Sequence, residues 1–256
     1  MKNRDRIIRY YQGTDNGELA ARLIDLADST AKGRPYAVSE FVSPGAVQIG
    51  ETIQAHVPSL VLRTSGGYEG AERVKLAFVS VDYDGPVDFG ITACKLSWDD
   101  RYRLLGHRDV LGSLMSLGID RGRFGDIIMQ DAGAVLLAET PLVPYLQQNF
   151  TKIAMVPITI EEIPLSDIAP RQEKVKEIKT TVASLRLDAI VSSGFGISRT
   201  KAADAVKGER VQVNWQPAKG PSQEVRQGDV ISLRGKGRMD WPKLPERREK
   251  VEPAFC

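Results

Sequence analysis

Histidine and cysteine are scarce: the 256-residue chain holds two of each. Cys94 and Cys256 are too few and too far apart for a zinc site or a disulfide framework. No Ser/His/Asp order and no metal-ligand cluster occurs, which leaves catalysis with little sequence support. No apolar run is long enough to cross a bilayer. The opening MKNRDRIIRYYQGTD lacks the apolar core of a secretory signal, and Asp5 and Asp15 argue against an attached transit peptide. Cys256 is not followed by the residues that prenylation needs. The glycine-rich stretch 66–73 (GGYEGAER) lacks the Lys-Ser/Thr of a P-loop. These absences predict a soluble intracellular protein without metal, cofactor or catalytic residues.

What is present is polarised charge. Residues 171–256 carry 18 Lys+Arg against 11 Asp+Glu, whereas residues 1–170 carry 17 against 22. The net charge of +2 hides a basic C-terminal third on an acidic body. Such a distribution points to nucleic acid at one end and leaves the acidic body for a protein partner.

The basic third contains RLDAIVSSGFGISRTKAADAVKGERVQVNWQPAKGPSQEVRQGDVISLRGKGR. Leu187, Ile190 and Val191 share one face of a short helix by their spacing. Gly194 and Gly196 are expected to stop it. Ser198 stands where an N-cap belongs, with Arg199, Thr200 and Lys201 in the first turn of a second helix that turns Ala202, Ala205 and Val206 inward. Basic residues at a helix start suit an anion docking on the free N–H groups. Val211–Val213 then alternates like a strand, and Gln227-Gly228-Asp229 forms a turn before the strand Val230–Leu233. After it come Arg234, Lys236 and Arg238, interleaved with glycines.

This order (RLD, SR with an Ala-containing helix, V-x-V-N, GD before a strand) resembles the S4 RNA-binding domain. The resemblance implies an RNA-contacting set of Arg186, Ser198, Arg199, Thr200, Lys201, Lys207, Arg210, Asn214, Lys219, Arg234, Lys236 and Arg238. Two departures stand out. The glycine usual before the first valine is displaced to Gly208, and Trp215 replaces the glycine common after the asparagine.

Upstream, residues 4–11 and 17–31 read as helices, the latter with Leu19, Leu23, Leu26 and Ala27 as its apolar face. Residues 35–58 contain a weaker helical pattern after the turn Ser43-Pro44, and 74–81 is strand-like. Residues 89–96 (strand), 99–117 (helix), 125–130 and 134–139 (hairpin), 141–149 (helix) and 152–160 (strand) give the order β-α-β-β-α-β of a ferredoxin-like, RRM-like domain. RNA-recognition modules place aromatics on two central strands, but GDIIMQ and AVLLAE hold none, so base stacking there is not expected. His107-Arg108-Asp109 reads as a helix start with a capping role and His56 as structural. Asp120 and Asp131, the nearest candidates for the nucleophile of an RNA-modifying enzyme, sit in no recognisable signature.

The expected architecture is therefore α+β: an N-terminal α/β region with a helical segment (1–83), a ferredoxin-like domain (84–165), an S4 domain (180–240) and a mobile tail (241–256). GGYEGAER, HRDVLGSLMSLGIDRGRFGDI and the S4 module together resemble the YlmH family of bacterial RNA-binding proteins, in the branch called the photosystem II S4 domain protein in cyanobacteria and plastids. That resemblance implies rRNA or tRNA as partner, the large ribosomal subunit as the site, and translation or ribosome quality control as the process. It also raises photosystem II assembly by protein contacts as an alternative, with the cytoplasm or plastid stroma as the compartment.

Overall fold

The computed structural model describes residues 11, 17–99, 101, 103–131, 133–169, 182 and 184–241. Except for Tyr11, the helix expected over 4–11 lies outside them, as does the tail after Trp241. The chain forms two compact units, Met1–Glu173 and Lys174–Cys256.

The first unit opens with helix α1 (Gly17–Ala31). Its buried stripe is Ala20, Leu23, Ile24 and Ala27. Leu19 and Leu26, expected on that face, are only partly buried beside it. The helical pattern expected after Ser43-Pro44 is α2 (Gly45–Ala55), whereas Tyr36–Val42, before that turn, is strand β1, which the sequence did not announce. In YAVSEFV burial alternates, and the strand pairs antiparallel with β3 (Val74–Ser80). Long-range pairing decides such a segment where local periodicity does not. The register shifts between Val38 and Phe41, and there the Ser39 hydroxyl accepts the Leu76 N–H at 2.9 Å. Strand β2 (Leu60–Ser65), not anticipated from the sequence, completes a sheet ordered β1-β3-β2.

The ferredoxin-like expectation is met. Strands β4 (Ile91–Trp98), β5 (Phe124–Gln130), β6 (Gly133–Glu139), β7 (Lys152–Ile153) and β8 (Val156–Ile163) form one sheet ordered β5-β6-β4-β8-β7. Helices α3 (His107–Ser116) and α4 (Val143–Asn149) follow β4 and β6. Helix α3 starts eight positions later than its expected start because Gly106 is extended and its N–H is capped by the Asp109 carboxylate at 2.9 Å. Pro141 falls in the 3₁₀ turn Thr140–Leu142 that precedes α4. The single last strand is in fact two, because Ala154 (φ 46°) and Met155 (φ 78°) fold a hairpin between β7 and β8.

Both faces of this sheet are occupied. Leu96, Leu136, Phe124, Val110, Leu114, Leu146 and Phe150 fill the helix side. On the other side Phe41 of β1 packs with Ala93, Val135, Leu137 and Ile168, all 9 % exposed or less. The strands that flank one another at the middle are β6 and β4, whereas β5 is an edge, correcting the pair taken as central above.

A polar network surrounds Phe41. The Asp126 carboxylate accepts the Tyr68 hydroxyl (2.8 Å) and the Glu72 and Arg73 N–H groups (2.7 and 3.0 Å). The Arg73 guanidinium donates to the carbonyls of Phe41, Arg121 and Phe124. Arg121 donates to the Phe124 and Gly125 carbonyls and lies over the Phe124 ring, 4.6 Å from its centre. Burial, reinforced by the Arg73 charge, pushes the Arg121 pKa down to about 10. A Cβ on Gly125 would come within 2.7 Å of the Phe41 ring, so only glycine fits there. The two motifs GGYEGAER and DRGRFGD are thus two halves of one internal joint. Asp126→Ala, which strips three donors of their acceptor, is expected to cost about 2–3 kcal/mol, read as a lower urea midpoint.

Candidate nucleic-acid interface

In the second unit helices α5 (Leu187–Phe195) and α6 (Arg199–Lys207) pack on a sheet ordered β10-β9-β11-β12. The strands are β9 (Val211–Val213), β10 (Gln216–Pro217), β11 (Val230–Leu233) and β12 (Gly237–Asp240). Leu187, Ile190, Val191, Ala202, Ala205 and Val206 are all buried, as their spacing predicts. Gly196 closes α5 in the left-handed conformation (φ 61°). Gly194 does not stop the helix: it lies inside α5, where the Met239 sulfur occupies the space a side chain would take.

The three-residue turn sets Ser198 as the cap of α6, its hydroxyl accepting the Lys201 N–H at 3.3 Å. Arg199, Thr200 and Lys201 are exposed at that end. Arg186, just before α5, joins them through Asp188. Arg186 donates Nε and Nη2 to the two Asp188 oxygens at 3.2 and 3.0 Å, and Arg199 donates Nη2 at 3.3 Å. The Asp188 side chain is 8 % exposed, against 45 % for Arg186 and 55 % for Arg199. The Arg186 hydrogen bonds, outweighing burial and helped by Arg199, hold the Asp188 carboxyl below its ordinary 3.8.

A second group of cations gathers at one end of the sheet. Leu233 pairs with Val211, and the Arg234 N–H donates to the Arg210 carbonyl at 2.9 Å. The Ala218 N–H donates to the Val211 carbonyl at 3.1 Å, which puts Lys219 at the same strand end. The turn between β11 and β12 brings Lys236 there. The Arg210 N–H donates back to the Ala205 carbonyl, linking this end to Lys207 in the last turn of α6. Lys207, Arg210, Lys219, Arg234 and Lys236 are all exposed. Arg238, exposed too, pairs one step inward with Ser232.

Asn214 departs from its expected place in this set. Its amide donates to Asp229 (2.8 Å) and accepts the Val230 N–H (2.9 Å), at the opposite end of the sheet. It locks the β9–β10 turn to the Gln227-Gly228-Asp229 turn. Asp188 and Asp229 are organising residues that cation counting missed, although RLD and GD had marked both positions.

The two departures from the S4 pattern gain a physical meaning. Glu209 (φ 54°) and Trp215 (φ 61°) both adopt the left-handed conformation that favours glycine. Displacing the glycine to Gly208, whose own φ is −85°, leaves Glu209 in that region.

The arrangement is that of an S4-type RNA-binding module, and comparison with known proteins agrees. The S4 domain model matches residues 185–231, and the model described as "Putative RNA-binding domain in YlmH" matches residues 85–167. The chain is 35% identical over 191 residues to "Ribosome-associated protein quality control protein P2" of Bacillus subtilis (strain 168), covering 74% of each chain. It belongs to the YlmH family of S4-domain proteins. In fold it is similar to the solved "Cell division protein ylmH from Streptococcus pneumoniae", with a TM-score of 0.50 and 22% identity over 60% of this chain and 93% of that one.

Two outcomes are expected. Glu209→Gly relieves the left-handed strain and, after the entropy cost of glycine, raises stability by about 0.5–1 kcal/mol in urea unfolding. Because the Asp188 carboxyl is held below 3.8 in the folded state, its contribution is intact above that pH and lost as pH falls through the depressed value. Melting curves taken from pH 7 to 2 should show a steeper acid loss in the native chain than in Asp188→Asn.

Proposed function

We propose that this chain is a non-catalytic RNA-binding protein that grips structured rRNA or tRNA on the large ribosomal subunit and serves ribosome quality control. The observation that carries the reading is the pair of cation groups at the two ends of α6: Arg186, Arg199 and Lys201 at its start, and Lys207, Arg210, Lys219, Arg234 and Lys236 at its finish. Both matched families are RNA-binding domains, and the B. subtilis relative is named for ribosome-associated quality control. That association suits a cytoplasmic protein.

Phosphates would bind at the start of α6, where Ser198 leaves the first N–H groups directed outward and the helix dipole adds to Arg199 and Lys201. Such contacts give affinity and orientation without reading sequence. Selectivity then comes from RNA shape and from the first unit, whose acidic balance discourages generic wrapping of RNA and leaves its surface to a protein partner.

The test is crosslinking of tagged protein to RNA in cells, with sequencing, joined to binding assays across salt. Arg199→Glu is expected to remove clustered reads on large-subunit rRNA or tRNA. Arg22→Glu, an equal charge change on the first unit, should leave them. In vitro Arg199→Ala should shallow the log–log salt slope by about 1. Equal losses for the two charge reversals would refute the S4 face. Absence of RNA above background would refute the function.

A further inference from the structure

Among the cations of the proposed interface sits one buried acid, and its placement carries information that charge counting discards. We infer that Asp188 is a positioning residue for RNA binding: its carboxylate holds the Arg186 and Arg199 guanidinium groups as a preformed pair for RNA phosphate oxygens. The inference rests on the reading that this face binds RNA.

Arg186 and Arg199 stand 13 residues apart, one just before α5 and the other at the start of α6, yet both donate to the same carboxylate at 3.0–3.3 Å. The backbone that carries this carboxylate is held in place. The Asp188 N–H donates to the Pro221 carbonyl at 3.0 Å, the Leu187 N–H donates to the Gln223 carbonyl at 2.8 Å, and the Arg186 backbone pairs antiparallel with that of Glu224. Asp188 is thus fixed against the 219–224 loop as well as within α5. An exposed acid on such a face would repel phosphate. This one lies under two cations that are each about half exposed, so the pair, and not the acid, meets the solvent.

The donor inventory fits the same role. Arg186 spends its Nε and one Nη2 hydrogen on Asp188, and Arg199 spends one Nη2 hydrogen, from five N–H donors each. The remaining donors supply the forked geometry that phosphate oxygens take. Fixing two long side chains in advance removes rotamer entropy that binding would otherwise cost. The acid also offsets the repulsion between two adjacent guanidinium groups, which favours their staying together in the unbound protein.

Charge alone and positioning make opposite predictions for one substitution. Asp188→Asn removes one negative charge from the face, which on electrostatics alone tightens RNA binding. Positioning requires the reverse, a loss of roughly tenfold in affinity. The experiment uses the full-length chain and labelled fragments of large-subunit rRNA, with thermal unfolding of every variant alongside. Asp188→Asn should also cause no further loss in an Arg186→Ala/Arg199→Ala background, because it acts through those two groups. Arg186→Lys/Arg199→Lys, which keeps both charges and leaves Asp188 paired, covers the case in which Asp188→Asn fails to fold. It should weaken binding because the forked donors are gone.

Binding by Asp188→Asn as tight as the native chain overturns the inference, as does an undiminished effect of Asp188→Asn in the double-alanine background. Native affinity in the double-lysine variant overturns it too. Equal binding by the native and double-alanine proteins is a different result, and refutes the RNA-binding reading of this face itself.

Discussion

The constraint on which the first unit depends is the closure of the β4–β6 sheet face by Phe41. A ferredoxin-like sheet normally has one face covered by its two helices and the other available. Here the second face is built into the core: Ala93 and Leu137 are fully buried and Val135 is 2 % exposed. Gly125 has to be glycine to admit the Phe41 ring, and Asp126 beside it collects the Tyr68, Glu72 and Arg73 donors. Apolar burial supplies the driving force for this joint, while the carboxylate and the Arg73 carbonyl contacts set its geometry. Lys75 and Arg123 extend the polar margin, each within 3.2 Å of Glu139.

Closure has a consequence for RNA. Recognition modules of this topology stack bases on the sheet, which requires the middle strands to be open and aromatic. The covered part of this sheet is neither. Any RNA contact made by residues 85–167 must therefore use loops, helix surfaces or the uncovered margin. In the second unit the sheet serves as support instead. Its strand ends and the two ends of α6 carry the cations, while β9 and β11 bury Val211, Val213, Ile231 and Leu233 beneath the helices. Asn214 and Asp229 secure the far end of that sheet, and its basic end is held by the backbone bonds of Arg234 to Arg210, Ala218 to Val211 and Arg210 to Ala205.

Legibility from sequence followed the range of the interactions involved. The S4 helices could be read because Leu187, Ile190 and Val191 repeat locally, and because Ser198 and Gly196 are strong local signals of cap and turn. The ferredoxin-like order could be read because apolar runs such as AVLLAE are separated by local turn signals, Gly118 after the first helix, Asp131 and Gly133 in the hairpin and Pro141 before the second helix. By contrast β1 and β2 owe their strand character to β3, and YAVSEFV shows no alternation of type clear enough to outweigh the helical pattern that follows it. Ala154 and Met155 hid the β7–β8 turn, since neither is a residue that announces a left-handed conformation. At the site, cation positions were visible and their organisation was not. Asp188 and Asn214 look alike as polar letters in short motifs, yet one sits beneath the arginine pair and the other locks a distant turn.

That difference bears on how such a surface gains selectivity. Phosphate neutralisation is blind to sequence, and a basic face of scattered lysines would bind any RNA in proportion to salt. Here one cation group is tied to the start of α6 through Ser198 and Asp188, and the other is tied to its end through Arg210 and the strand termini. A nine-residue helix separates them by about 13 Å. Two anchored groups at a fixed separation favour RNAs whose phosphates present that spacing in their folded form, because a flexible strand must lose conformational entropy to match it. On the proposed reading of this face, rigid spacing is what turns a sequence-blind attraction into a preference for structured RNA, through hydrogen bonds that fix the cations without touching a base.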